Sequence, residues 1–320
     1  MKNKILSWPK YFEKFAQHVL ALFQSKIRLH ALLLALPYTW CVCFFLIPTL
    51  IILKISFAKC SLSLPPFTSL LQKIDPYFYT ISLYFGNFWA IFSDSFYFSA
   101  VLTSFLLAGA TTILCLILGY AMAYAISRAS PRMHIILILL VVLPFATSFL
   151  IRVYSWMGLL NTQGILNTFL LKIGLLSKPF HFLDNGWVVC LAMVYCYLPF
   201  MILPIYAALE KIDPLYIEAS LDLGATPRHS FWQITFPLSL PGVFAGSTLV
   251  FVPSLGEFVI PELLGGSKMM TIGQSIWNEF FNNRDWPLAC SIAVFMMLSF
   301  AFYILLSRIK ESFIQARERV

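Results

Sequence analysis

Residues of the types that chemistry requires are sparse in this chain, and the usual patterns of an enzyme are missing. The five histidines are scattered without metal-ligand spacing, and the seven cysteines include no Cys-x-x-Cys pair. The phosphate-binding pattern GxxxxGK[ST] does not occur; the nearest stretch, 263–268, lacks the spacing of the first glycine. We therefore expect no catalytic residue, no metal ion and no cofactor on this chain.

Ionisable residues cluster instead in the segment 210–237, between two long apolar stretches. Asp213 and Thr226 are each followed by proline, which predicts two helix starts, because a capping side chain and a first-turn proline both suit that position. Gly224 predicts the end of the first helix, since glycine readily adopts the left-handed conformation. The segment is therefore predicted to be two short helices of defined shape, which indicates contact with a partner.

The elements on either side of this segment are predicted to be transmembrane helices. Of the 320 residues, 60% are hydrophobic and only 11% are charged, whereas a soluble domain carries roughly a quarter charged residues. Six largely uncharged stretches are long enough for a helix to cross a bilayer. They lie at about 31–53, 96–126, 133–152, 187–209, 241–261 and 287–307. The sequence therefore predicts an all-α polytopic membrane protein, with its membrane domain over 31–308 and a loop over 210–240.

Two further apolar stretches, 76–93 and 153–171, are not counted as spans. The first mixes Pro76 and glycine with tyrosine and tryptophan, and the second contains several amide side chains. Such composition is typical of segments at the membrane–water interface. The count of six depends on this interpretation.

The distribution of charge predicts the orientation of the spans. With both termini in the cytoplasm, 14 of the 22 lysine and arginine residues lie on the inner side, as the positive-inside rule requires. The net charge of +8 then follows from topology and anionic lipid headgroups suit it, so it indicates no nucleic-acid partner. Residues 309–320 are a basic cytoplasmic tail. Residues 1–30 fit either an amphipathic helix on the inner leaflet or a frayed basic tail.

The segment after Asp213 resembles the EAA loop of permease subunits of ABC importers. That loop reads Glu-Ala-Ala, three residues, Gly, nine residues, Ile, one residue, Leu-Pro. The positions that match are Glu218, Ala219, Gly224, Ile234 and Pro237, and the departures are Ser220 and Phe236. The resemblance implies that the first short helix, which also carries Asp222, is a coupling helix that docks on an ATPase subunit. The alternative is an ordinary interfacial hairpin between two spans.

Beyond the loop, residues from about 65 to 308 are similar to polyamine permeases, most of all to the putrescine type and next to the spermidine/putrescine type. The segments that carry this similarity are LPFATSFLIRVYSWMG at 143–158, LPFMILPIY at 198–206, GEFVIPELLGG at 256–266 and FFNNRDWP at 280–287. The last two favour the putrescine type.

The resemblance implies a six-helix permease of the type I importer class in the inner membrane of a bacterium. The expected partners are a second homologous permease subunit, two copies of an ATPase that bind the ATP, and a periplasmic polyamine-binding protein. Iron(III) and sulfate permeases share the EAA loop, so an importer of another small solute is an alternative. A secondary transporter is a further alternative, although neither charges paired across spans nor internal repeats are evident.

Glu257 is the most informative polar residue within the predicted spans. It follows Pro241 by 16 residues, or roughly 24 Å of helix, which places it in the outer leaflet. A carboxylate there is costly and usually faces a cavity or a partner. It is either a transient counter-charge for a cationic cargo or the partner of Arg152 in a structural ion pair, the interpretation that we favour. Aromatic residues that could offer ring faces to ammonium groups are Tyr154, Trp156, Tyr195, Tyr197, Phe251 and Phe258, although most aromatic residues are expected to pack.

Overall fold

A computed structural model describes residues 35–75, 78–266 and 269–318, with the side chains of all of these except 71–81 and 307–318. The chain divides into two compact units, residues 1–55 and 56–320. The predicted basic segment 1–30 lies outside the described residues. Within the tail predicted at 309–320, the described residues continue the last helix as far as Glu318.

The described residues are almost entirely helical, which confirms the predicted fold class, with one small antiparallel ribbon in addition. In chain order the elements are α1 Ala35–Ser56, β1 Leu71–Asp75, β2 Phe78–Ile81, α2 Gly86–Ser93, α3 Ser95–Ser127, α4 Pro131–Val142, α5 Phe149–Leu160, α6 Ile165–Lys172, α7 Gly186–Leu209, α8 Pro214–Asp222, α9 Pro227–Ser230, α10 Phe236–Leu255, α11 Val259–Leu264, α12 Ile272–Trp277 and α13 Trp286–Glu318.

Five helical stretches among the described residues are long and apolar enough to cross a membrane: Ala35–Ser56, Ser95–Ser127, Gly186–Leu209, Pro227–Leu255 and Trp286–Leu306. A sixth crossing exists if the helical pair Pro131–Ala146 and Phe149–Lys172, bent by 87°, counts as one span.

The bend corrects the prediction of one span over 133–152. Helix α4 tightens into a 3₁₀ turn at Leu143–Ala146, and Thr147 and Ser148 are extended with ψ of 150° and 138°. Pro144 has no N–H to continue the helical ladder, which weakens the helix just before it ends. Residues 149–152 therefore belong to α5, which runs in a different direction.

Helix α7 is the centre of the larger unit. In the apolar 18-residue stretch of α7, 61% of the residues are buried, against 28–39% in the corresponding stretches of the spans that contain α3, α10 and α13. It packs against both α3 and α10, which also pack against each other. Its buried residues Met193, Met201, Ile202 and Ile205 form much of the core. A second, smaller core joins α2, α12 and α13 around Ile91, Ile272, Ile292 and Met296.

Helices α7 and α10 approach each other at backbone distance. A Cβ atom on Gly242 would lie 2.6 Å from the Pro204 carbonyl oxygen and 2.6 Å from the Ala208 Cβ. At Gly246 the corresponding atom would lie 2.9 Å from the Met201 Sδ. Small residues at a helix crossing permit this close packing, which replaces the hydrophobic effect as the force that joins helices in a bilayer.

We predict that Gly242→Ala destabilises the protein by about 1–3 kcal/mol, because the added methyl group forces the two backbones apart. Thermal unfolding of the purified protein in detergent measures the effect. Gly109→Ala in α3 is the matched control, since its Cβ meets nothing within 4 Å. Equal melting temperatures for the two variants would show that the α7–α10 contact does not limit stability.

Candidate functional site: the 213–237 loop and the Glu257 cluster

The loop begins with a capped helix, as predicted. The Asp213 carboxylate accepts a hydrogen bond of 2.9 Å from the Leu215 N–H at the start of α8. The helix ends before Gly224, which has φ of +87°, a conformation that residues with a Cβ atom resist. Thr226 caps α9 by accepting from the His229 N–H at 3.4 Å. Cap residues act locally, so the sequence is a reliable guide to them.

The second half of the loop is not the separate short helix that the sequence predicts. Helix α9 continues through a π turn, Phe231–Thr235, directly into α10. Ile234 lies in that π turn and Pro237 lies in the first turn of α10. The second half of the motif is therefore the beginning of a helix long enough to span the membrane.

Ser220, the departure from the second alanine of the motif, joins the two halves of the loop. Its Oγ lies 2.8 Å from the Ser230 Oγ and 2.7 Å from the Ile217 carbonyl oxygen, and both serines are buried. The hydroxyl thus ties α8 to α9. The sequence shows Ser220 only as a departure from the motif, and the position of Ser230 in the fold reveals its contact.

The exposed surface of the loop is apolar with an acidic border. Leu223 is 89% exposed, and the other exposed apolar side chains are Leu215, Tyr216, Leu221 and Trp232. Glu218, Ala219 and Asp222 are also exposed. An exposed apolar patch of this kind is suited to contact with another protein or with the membrane.

The sequence predicts Glu257 within the span over 241–261. In the structure it lies just past the end of α10, which ends at Leu255. Its Oε1 accepts from the Val259 N–H at 2.9 Å and from the Ile260 N–H at 3.4 Å, at the start of α11. Its Oε2 accepts from the Tyr197 hydroxyl at 2.5 Å. The carboxylate is therefore held by three neutral donors, and no lysine, arginine or histidine nitrogen with a described side chain lies within 4 Å of it.

The direct ion pair between Arg152 and Glu257 is not formed in this structure. Among the residues whose side chains the structure describes, the one such contact within 4 Å joins the His181 imidazole to the Asp184 carboxylate. The Arg152 guanidinium lies over two rings instead, 5.0 Å from the centroid of Phe145 and 5.8 Å from that of Phe149. The bend before α5 explains the difference, because Arg152 belongs to the helix that follows the bend.

The predicted aromatic residues pack on separate neighbours. Phe251 stacks on Tyr303 at 4.7 Å, Phe258 stacks on Trp277 at 5.2 Å, and Trp156 meets Tyr195 edge-on at 5.7 Å between ring centroids. Tyr154 is exposed. No ring contact among the described residues joins any two of Tyr154, Trp156, Phe251 and Phe258, and their role along a path stays a prediction.

Two further carboxylates escaped the sequence analysis. Glu279 is buried and accepts from the Tyr97 hydroxyl at 2.7 Å and from the Asn283 amide at 3.0 Å. Glu262 accepts from the Gln274 amide at 2.7 Å. A lone acidic residue within the aromatic stretch 276–281 was the available signal for Glu279.

Near Glu279, the carboxyl of Asp285 lies outside the candidate spans. Burial raises the pKa of Asp285, and the neighbouring Glu279 charge acts in the same direction. Its Oδ1 accepts from the Leu288 N–H at 3.0 Å, which opposes the shift. Within the part of the chain that the structure describes, no three histidine, cysteine, aspartate or glutamate side chains are placed to hold a metal ion.

Comparison with known proteins gives one family match and several long alignments. The family described as "binding-protein-dependent transport system inner membrane component" matches residues 116–314. The spermidine/putrescine transport system permease protein PotB of Haemophilus influenzae is 37% identical over 270 residues, which cover 84% of this chain and 90% of that protein. PotB of Escherichia coli strain K12 is 34% identical over 266 residues, which cover 83% of this chain and 92% of the relative.

A solved structure shares the fold. It is a bacterial alginate ABC transporter in complex with a periplasmic protein bound to an alginate pentasaccharide. One of its chains aligns with a TM-score of 0.67 at 19% identity, covering 90% of this chain and 94% of that one. At this identity the likeness concerns the fold alone.

We predict that Tyr197→Phe lowers stability, because the Glu257 carboxylate loses one of its donors and the net value of a hydrogen bond to a charged group is about 1.5–3 kcal/mol. The melting temperature of the purified protein measures the loss. Tyr195→Phe, two residues away on α7, is the matched control, since its hydroxyl makes no hydrogen bond to the described residues. If both variants melt alike, the Tyr197–Glu257 bond does not stabilise the fold.

Proposed function

We propose that this chain, which belongs to the family of binding-protein-dependent transport system inner membrane components, forms half of the translocation path of an ATP-driven polyamine importer. The family and the fold make it the permease subunit of an ABC importer, a transport subunit and not an enzyme. The observation that supports a polyamine as the cargo is the 37% identity, over 84% of the chain, to a spermidine/putrescine permease. Putrescine and spermidine both fit this observation.

The partners of the proposed importer are a second homologous permease, two ATPase subunits and a periplasmic polyamine-binding protein. ATP binds to the ATPase subunits. The exposed loop supports this assembly: α8 presents Leu215, Tyr216 and Leu223 to its surroundings, where a groove of the ATPase would cover them. Glu218 and Asp222 border the apolar patch and offer charges to the edge of the interface.

The loop also determines the proposed orientation, because an ATPase partner requires it to face the cytoplasm. From the loop towards the C terminus the chain has two candidate crossings, α10 and α13. Towards the N terminus, the described residues from 35 onwards contain α7, the bent pair, α3 and α1, which makes four candidate crossings if the pair crosses. Even numbers of crossings on both sides support the proposal that both termini lie in the cytoplasm, which agrees with the positive-inside distribution of charge.

Glu257 supports a cationic cargo. Its carboxylate is fixed by the Tyr197 hydroxyl and two backbone N–H groups, so that its charge is available to an ammonium group. A polyamine loses hydration in a narrow path, and a pre-positioned anion offsets part of that cost. Neutral donors hold the carboxylate, whereas a lysine or arginine in their place would compete with the cationic cargo for it.

The cargo is tested by uptake into cells or proteoliposomes that contain the complete importer with its own binding protein. We expect ATP-dependent accumulation of labelled putrescine or spermidine. An assembled importer that hydrolyses ATP but accumulates neither polyamine would overturn the cargo and favour another small solute.

We predict that Leu223→Asp abolishes co-purification of the ATPase subunits and the uptake that they drive. The side chain is almost fully exposed, so its replacement leaves the fold of the permease intact while it places a charge in the proposed apolar interface. Leu175→Asp is the matched control, since Leu175 is 69% exposed in the loop after α6, on the proposed outer side. Normal uptake by Leu223→Asp at normal membrane levels would reject the coupling role of α8.

We further predict that Glu257→Gln lowers polyamine uptake roughly tenfold, equivalent to about 1.4 kcal/mol. Glutamine keeps the shape and removes the charge. Its amide oxygen can still accept from the Val259 and Ile260 N–H groups, while its NH2 group can donate to the Tyr197 hydroxyl oxygen in place of accepting from it. Complex yield and the affinity of the binding protein for its ligand should remain unchanged. Glu262→Gln, whose carboxylate is held by Gln274, is the control. Unchanged uptake in Glu257→Gln would remove this carboxylate from the path.

A further inference from the structure

The segment between α11 and α13 has a buried side and an exposed side. Ile272, Ser275 and Glu279 are buried, and α12 packs on both α3 and α13. Trp277 and Phe281, four residues apart, are 46% and 56% exposed. In the membrane these two rings are covered by lipid, by another subunit or by the cargo. The residues around the two rings favour the cargo.

The two exposed rings belong to a row of aromatic contacts. Phe258 stacks on Trp277 with 5.2 Å between the ring centroids, and Trp277 meets Phe281 at 4.3 Å. Phe281 contacts Phe280 at 5.0 Å, and Phe280 stacks on Trp286 at 4.9 Å. These five residues, here called the ring series, form an unbroken row in which each ring touches the next.

The ring series leads from the outer side into the membrane region. In the proposed orientation Trp286, the first residue of α13, lies at the outer end of that helix. At the other end of the series Phe258 lies against α12, because a Cβ on Gly273 would be 3.1 Å from the Phe258 Cβ. The neighbouring Ile272 shares a core with Ile292, which is six residues past Trp286 and thus about 9 Å along α13. The series therefore ends beside the proposed cargo carboxylate, which belongs to the residue before Phe258.

The chemistry of a polyamine matches such a row of rings. Protonated polyamines combine ammonium groups with short hydrocarbon segments. An aromatic face attracts an ammonium group, and its large apolar surface packs against the hydrocarbon between the charges. Uncharged rings hold a cation less tightly than a carboxylate does, so they suit a cargo that must move on. A carboxylate within the membrane region usually faces a cavity or a partner, which favours the cargo over lipid at the inner end of the row.

The outer end of the ring series opens into a groove of about 650 Å³. Phe280, Phe281 and Trp286 line this groove, together with residues 60–64 of the loop after α1. Arg284 also borders the groove, and its exposed charge is screened by water and salt. The groove therefore gives a cation access to the rings from the outer side.

We propose that the ring series binds the protonated polyamine on its ring faces and guides it from this groove to Glu257. The inference rests on the proposed cargo and deepens it, because Trp277 and Phe281 become residues that contact the cargo. Phe258 is the inner member of the series, where the ammonium group passes from a ring face to the carboxylate.

Putrescine uptake by the complete importer tests the ring series when residue Trp277 is replaced by tryptophan that carries increasing numbers of fluorine atoms. Fluorine withdraws electron density from the ring face and weakens its attraction to ammonium, while the shape of the ring is nearly unchanged. We expect the initial uptake rate to fall stepwise with fluorination, by about fivefold at the highest level. Trp277→Leu should cause a similar loss, and Trp277→Phe should keep most of the uptake. Trp89→Leu, at a 73% exposed position of α2 outside the ring series, is the matched control and should transport as the wild type does.

Three results would overturn the proposal. Unchanged uptake by the fluorinated forms excludes contact between the Trp277 ring face and an ammonium group, and this comparison stands even if Trp277→Leu fails to assemble. Loss of the second permease subunit from purified Trp277→Leu, with normal uptake by the fluorinated forms, assigns the rings to a subunit contact. A wild-type importer that hydrolyses ATP but accumulates no polyamine overturns the proposed cargo itself. That failure is distinct from failure of the ring series alone, in which the wild type accumulates polyamine normally.

Discussion

The contact between α7 and α10 is the interaction on which the rest of the larger unit depends. The two helices touch at Gly242 and Gly246, and both candidate sites are attached to their ends. The loop leaves the C-terminal end of α7 and enters α10 through α9 and the π turn. At the other end of α10, Glu257, two residues past Leu255, accepts a hydrogen bond from Tyr197 in the middle of α7. A rigid helix pair therefore connects the surface proposed for the ATPase to the carboxylate proposed for the cargo.

Local features were predictable from the sequence because they depend on a few neighbouring residues. Asp213 and Thr226 cap helices at the positions that the sequence predicts, and Gly224 follows the end of α8 in a left-handed conformation. The helical class and the family followed from composition and from the EAA loop, and the comparisons confirm both. The preference for putrescine over spermidine stays a prediction, since the relatives described carry both names.

Features that depend on the direction of helices were not predictable in the same way. A straight third span would have pointed Arg152 towards the outer end of its neighbours, but the chain turns at Thr147 and Ser148. Glu257 was expected within a helix, yet α10 ends at Leu255 and the carboxylate caps α11. Pro144 and the glycine at 256 signal weak points, but neither gives the angle at which the chain continues. The predicted ion pair between Arg152 and Glu257 is absent for this reason.

The π turn at Phe231–Thr235 fixes the angular relation between the loop and the membrane helix. A π turn accommodates one residue more than an α turn, and such turns behave as single-residue insertions in a helix. Each residue of an α-helix advances the face by about 100°. A chain shortened by one residue here would form an uninterrupted helix and present the Ser230 hydroxyl about a quarter-turn away from Ser220. The number of residues between Gly224 and Pro237, more than their identity, thus sets the angular position around α10 of the surface proposed for the ATPase.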